Sequence, residues 1–112
     1  MANVDLLQGT LDVLVLKTLT WGPMHGYTVA RSLQQLTDDV LRIEEGSLYP
    51  ALHRMERRGW IASEWGLSEN NRRARFYKLT AEGRKQLRAE ASTWSAFSQA
   101  VSKVLTATAA PV

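Results

Sequence analysis

The chain has 112 residues, 45% of them hydrophobic and none of them cysteine, with a net charge of +3. A chain of that length makes one domain with a modest core, and without thiols it forms no disulfide and no thiolate metal site, which fits a reducing compartment. The opening MANVDLLQGT lacks the build of a secretory signal, and no apolar run approaches the roughly 20 residues of a membrane span, so a soluble cytoplasmic protein with no membrane partner is expected.

In chain order, Leu6, Leu7, Leu11, Val13, Leu14, Val15, Leu16 and Leu19 cover nearly the whole circumference of a helix, which predicts a central, buried element. The break WGPMHG, with Gly22, Pro23 and Gly26, reads as a turn. A second helix follows, with Tyr27, Val29, Ala30, Leu33 and Leu36 on its buried face and Asp38 and Asp39 at its end. The short VLRI from Val40 to Ile43 is a candidate third strand for the hairpin further on.

A third helix is expected from Ser47, as N-cap, to Gly59. At 100° per residue Leu48, Ala51, Leu52 and Met55 share one face, and Tyr49, Pro50, His53, Arg54 and Arg57 lie on or beside the opposite one. The stretch WIASEWGLSENNRRARFYKLT then alternates as two strands, with Ile61, Tyr77 and Leu79 inward and Glu64, Arg75 and Lys78 outward. In the loop GLSENNRR, Gly66, Asn70 and Asn71 tolerate left-handed backbone. Trp21, Trp60 and Trp65 read as shields for turns and strand ends.

The last helix begins at Thr80, a good N-cap, with Glu82 favourably placed against the helix dipole. Along it Leu87, Ala91, Trp94, Val101 and Leu105 form a stripe, flanked by Phe97 and Val104, that outruns a compact domain and calls for a partner. The expected organisation is a DNA-binding domain over 1–80, a dimerisation helix over 81–106 and a disordered tail over 107–112. The fold class is mainly α with a small β-hairpin wing, a winged helix-turn-helix.

Charge and shape together point to duplex DNA. Of the 14 basic residues 11 lie between Arg42 and Arg88, with 6 of the 11 acids, so that stretch carries +5 and the remainder −2. A basic helix beside a basic hairpin is the arrangement in which the helix enters the major groove and the wing follows the phosphates. Tyr49, His53, Arg54 and Arg57 are candidates for base or phosphate contact, Arg54 alternatively for pairing with Glu56 or another acid, and Asn70, Asn71, Arg72, Arg73 and Arg75 for backbone or minor groove. Trp94 and Phe97 either fill a symmetric interface or wall an aromatic guest, which makes Trp94 a candidate ligand residue. His25 and His53 have no carboxylates spaced to complete a metal site, and there is no glycine-rich phosphate loop, so neither enzyme activity nor a cofactor is expected. A protein-docking winged helix and a non-specific architectural DNA protein are the rival functions.

Four ordered segments, LLQGTLDVLVLKTL, GPMHGY, GSLYPALHRMERRGWI and RRARFYKLTAEG, resemble the PadR family of bacterial transcriptional regulators over about residues 6–105. The resemblance implies a winged helix-turn-helix homodimer that usually represses a promoter, and a short subgroup with one C-terminal dimerisation helix. DNA contacts in the family map here to Ser47, Tyr49, Pro50, His53 and Arg54, and to Asn71, Arg72, Arg73 and Arg75. Some multidrug sensors of that subgroup carry a tryptophan on the last helix where planar aromatic compounds bind, and Trp94 looks like that residue.

Overall fold

The computed structural model describes residues 8–111, and its core grows around the first helix, α1, Gln8–Thr18. Leu11, Val13, Val15, Leu16 and, just beyond the helix, Leu19 are all buried, as an all-round apolar pattern requires, while Lys17 stays exposed. Leu6 and Leu7 lie outside the described residues. Thr18, also buried, returns its hydroxyl proton to the Leu14 carbonyl one turn back (2.8 Å) and so leaves no unmet donor. A single 3₁₀ turn, Leu19–Trp21, ends this segment.

The WGPMHG segment is more than a turn. After Gly22 the backbone runs extended as β1, Met24–His25, which pairs antiparallel with the hairpin through Met24 opposite Tyr77 and His25 opposite Phe76. The third strand is therefore Met24–His25 and not Val40–Ile43, which has no strand structure. Asp38 and Asp39, with φ of 52° and 67°, turn the chain after the second helix, and the free edge of β3 is taken by β1.

The second helix, α2, Gly26–Leu36, buries Val29 and Leu33 but leaves Tyr27 and Leu36 exposed, against the expected five-residue face. Both lie at helix ends, where no other element among the described residues covers them; Tyr27 instead meets the guanidinium of Arg31 at 6.0 Å. The third helix, α3, Glu45–Arg57, starts three residues earlier than a Ser47 cap implies, with Glu44 in the N-cap position. Ser47 lies inside the first turn and bonds back through its amide to the Glu44 carbonyl (3.0 Å). Leu48, Ala51, Leu52 and Met55 are its buried face, as the 3.6-residue period dictates. Gly59, at φ 79°, closes the helix: its amide bonds to Glu56 O and that of Trp60 to Met55 O, both at 3.0 Å.

The hairpin strands β2, Ile61–Leu67, and β3, Arg73–Leu79, pair from Ile61 opposite Leu79 to Leu67 opposite Arg73, in the sheet order β1-β3-β2. Ile61 and Tyr77 enter the core, and Leu79 packs at its margin. Thr80 then caps α4, Ala81–Thr106, by accepting from the Gly83 amide (3.0 Å). Gly83 is a point of close approach, because a Cβ there would sit 2.0 Å from the Trp60 carbonyl oxygen. The first part of α4 packs on α1 through Leu87 and its neighbours; from Ala91 onward almost every residue is exposed. No helix among the described residues is long and apolar enough to cross a membrane.

Candidate nucleic-acid interface

Of the five outward residues expected on α3, the structure leaves Pro50, His53 and Arg57 exposed, with Ser47 beside them at the start of the same side. Tyr49 and Arg54 are not with them. Tyr49 is half-buried, its ring lying over Gly26, where a Cβ would meet the phenol oxygen at 2.7 Å. Burial, and secondarily the negative charge of Glu45, push the phenol above its ordinary pKa, so it stays a neutral donor.

Arg54 turns to α1. Its guanidinium donates to the carboxylate of Asp12, and the two side chains are only 19% and 6% exposed. Helical geometry puts Arg54 at the border between the two faces of α3, from which a long side chain reaches either way. Asp12 decides the direction: a carboxylate in an apolar stretch is costly to bury without a partner, and α3 supplies one. Burial pushes the Asp12 carboxyl upward, and the charge and hydrogen bond of Arg54 oppose that.

The tip of the hairpin is a short loop. Ser68 N donates to Arg72 O (2.8 Å) and Asn71 N to Ser68 O (2.9 Å), with Asn71 at φ 58°. Asn71 thus takes the left-handed position. Gly66 does not, since it lies within β2 opposite Ala74, where its bare face receives the Phe76 ring. Asn70 has no positive φ either. Asn71, Arg72 and Arg73 are exposed at this tip.

Arg75 shares a strand face with Tyr77, so it points toward the α3 side and not away from it. There Arg75 Nε donates to Ser63 Oγ (2.8 Å), Ser63 Oγ donates to Glu56 Oε2 (2.6 Å), and the Arg75 guanidinium lies 3.6 Å from the same carboxylate. Trp65, opposite Arg75 in the register, lies under both Arg73 and Arg75, with guanidinium carbons 4.5 and 5.6 Å from its ring centre. Asp12, Glu56, Ser63 and Trp65 are the residues sequence reasoning missed. The alternation that put Tyr77 inward held the signal for Trp65 and Arg75; nothing local signalled the Asp12 contact.

On α4, Leu87 belongs to the domain's own core, unlike the other stripe residues. Ala91, Trp94, Phe97, Val101 and Leu105 are exposed, with the Trp94 and Phe97 rings 5.9 Å apart. Trp94 and Phe97 also border a groove of about 330 Å³ against α1, lined further by Gly9, Thr10, Val13, Glu90 and Thr93. Among the described residues no group of three or more His, Cys, Asp or Glu is placed to hold a metal ion.

The model of the transcriptional regulator PadR-like family matches residues 15–89. Among solved structures, a transcriptional regulator from Clostridium thermocellum is 30% identical with a TM-score of 0.80, covering 89% of this chain and 97% of that one. A PadR family transcriptional regulator from Eggerthella lenta is 35% identical, TM-score 0.72, over 88% and 84% of the two chains. A PadR-like transcriptional regulator from Bacillus cereus is 25% identical, TM-score 0.78, over 93% and 99%.

Proposed function

The chain belongs to the PadR-like family of transcriptional regulators, and from that premise we propose that it acts as a sequence-specific repressor, binding duplex DNA as a homodimer. The observation that carries the reading is the pairing, within one domain, of an exposed polar helix face with an exposed cationic wing tip. Ser47, Pro50, His53 and Arg57 make the first; Asn71, Arg72 and Arg73 make the second. Arg57 and His53 offer hydrogen bonds to base edges, which carry sequence preference, and the wing arginines offer charge to phosphates, which carries affinity. Arg75 adds to the wing's charge while tied to Glu56 and Ser63.

The exposed apolar face of α4 supports a second copy as its cover, because a chain leaving Trp94, Phe97, Val101, Val104 and Leu105 in water has that surface available to bury. Twofold symmetry then sets two α3 helices in successive major grooves, with half-sites about 34 Å apart on a near-palindromic operator. A planar aromatic effector at Trp94 relieves repression only by favouring a dimer geometry that misplaces those helices. Saturating aromatic ligand that leaves operator affinity unchanged removes that effector from the reading.

Replacing Arg72 and Arg73 together by Glu tests the core of it. Binding to every duplex should weaken, with fold and self-association intact. For the wild-type dimer the slope of log affinity against log salt should be about −5 to −9, if roughly 6 to 10 phosphates are neutralised. DNA retention indifferent to the two reversals would end the regulator reading in favour of a protein-docking role.

A further inference from the structure

The buried polar side chains among the described residues are Asp12 and Thr18, and Thr18 is satisfied within its own helix. Asp12 is different, because its carboxylate is held by a residue of another element, 42 positions away. A buried ion pair of this kind contributes little net stability compared with an apolar pair of the same volume; its best-attested use is to fix registry. Here the registry is that of α3. Arg54 on one flank of α3 is tied to Asp12 of α1, and Glu56 on the other flank is tied to Ser63 and Arg75 of the hairpin. Between these two ties the face of Pro50, His53 and Arg57 is left pointing outward.

Building on the DNA-binding reading above, we propose that Asp12 and Arg54 are positioning residues, which set the rotation of α3 about its own axis so that His53 and Arg57 meet the base edges. Arg54 acts on DNA through Asp12, not by touching phosphate or base. The pair also joins two functions in one helix. Residues Gly9, Thr10 and Val13 of α1 line the groove against α4, while Asp12 reaches α3, and the charge of Glu90, which borders that groove, also bears on Asp12. A displacement of α1 by α4 therefore reaches α3 through this ion pair as well as through the apolar core the two helices share.

The test compares wild type with Asp12→Asn, Arg54→Gln and the double variant, on a duplex recovered by wild-type protein from a random-sequence pool. Binding is measured well below each variant's Tm and over a range of salt. Each single change should lower affinity about tenfold, the scale of one lost charged hydrogen bond, and the double variant should be no worse than the weaker single. The salt slope should equal that of wild type. Two results overturn the proposal. A slope shallower by about 1 in Arg54→Gln, with Asp12→Asn binding normally, means that Arg54 grips a phosphate. Unchanged affinity in both singles, with a lowered Tm, means that the pair only packs. If Arg54→Gln does not fold, Arg54→Met, which removes the charge and keeps the length of the side chain, takes its place with the same outcomes. Wild-type protein that recovers no duplex sinks the regulator reading itself, a failure distinct from that of the pair.

Discussion

Helices α3 and α4 are both amphipathic, yet they end in opposite states. On α3 every apolar face residue is covered by its own chain, with Leu48, Ala51, Leu52 and Met55 all at 1% exposure or less. On α4 the cover stops near Leu87; Trp94 is 45% exposed and Leu105 77%. The hydrophobic effect acts alike on both, so the contrast lies in what is within reach. The N-terminal part of α4 lies on α1, and from Ala91 onward almost every residue described is exposed. An apolar stripe read from sequence therefore says that something covers it, and only the spatial arrangement says whether the cover is internal.

The sharpest way to break this comparison is to attack the covered helix. Leu52→Ala leaves a cavity at a site with no exposure and should cost about 2–5 kcal/mol of unfolding free energy, read from denaturant melts. A shift below 1 kcal/mol means that α3 is not packed as described. Next comes the junction where α4 leaves the covered region. Gly83→Ala forces a methyl group against the Trp60 carbonyl and should destabilise by about 1–3 kcal/mol, with Gly83→Ser at least as harmful. The smallest effect on the folded subunit belongs to the exposed end. Val104→Ser with Leu105→Ser should change subunit stability by only about 0.5 kcal/mol, since both side chains are largely exposed. If a second copy is the cover, wild-type Tm rises with protein concentration and that of the double variant does not. A wild-type Tm indifferent to concentration would show that α4 is not covered by self-association.

Much of the fold was legible because it is written in short-range periodicity. The inner face of α3, the buried α1, the Thr80 cap and the inward Ile61 and Tyr77 each depend on spacing within one element. The two-residue strand Met24–His25 was not legible, because so short a segment has no period, and its partner lies some fifty positions further on. Tyr27 and Leu36 misled for a related reason: a face can be apolar along its whole length while the element covering it is shorter. For the candidate interface, the positions of Arg57, Arg72 and Arg73 followed from helix face and loop tip, whereas those of Arg54 and Arg75 did not.

The amino-acid order by itself determined that four helices and a hairpin form, which residues are apolar along each, and that the positive charge gathers on α3 and the wing. Tertiary structure decided which of those cations are held internally. Arg54 pairs with Asp12 and Arg75 with Glu56, while Arg57 and Arg72 remain exposed, although all four are the same residue type within 22 positions of one another. The reason is that hydrophobic pattern and capping are summed over neighbours in the chain, whereas the fate of a charge depends on the burial and partner it meets in space.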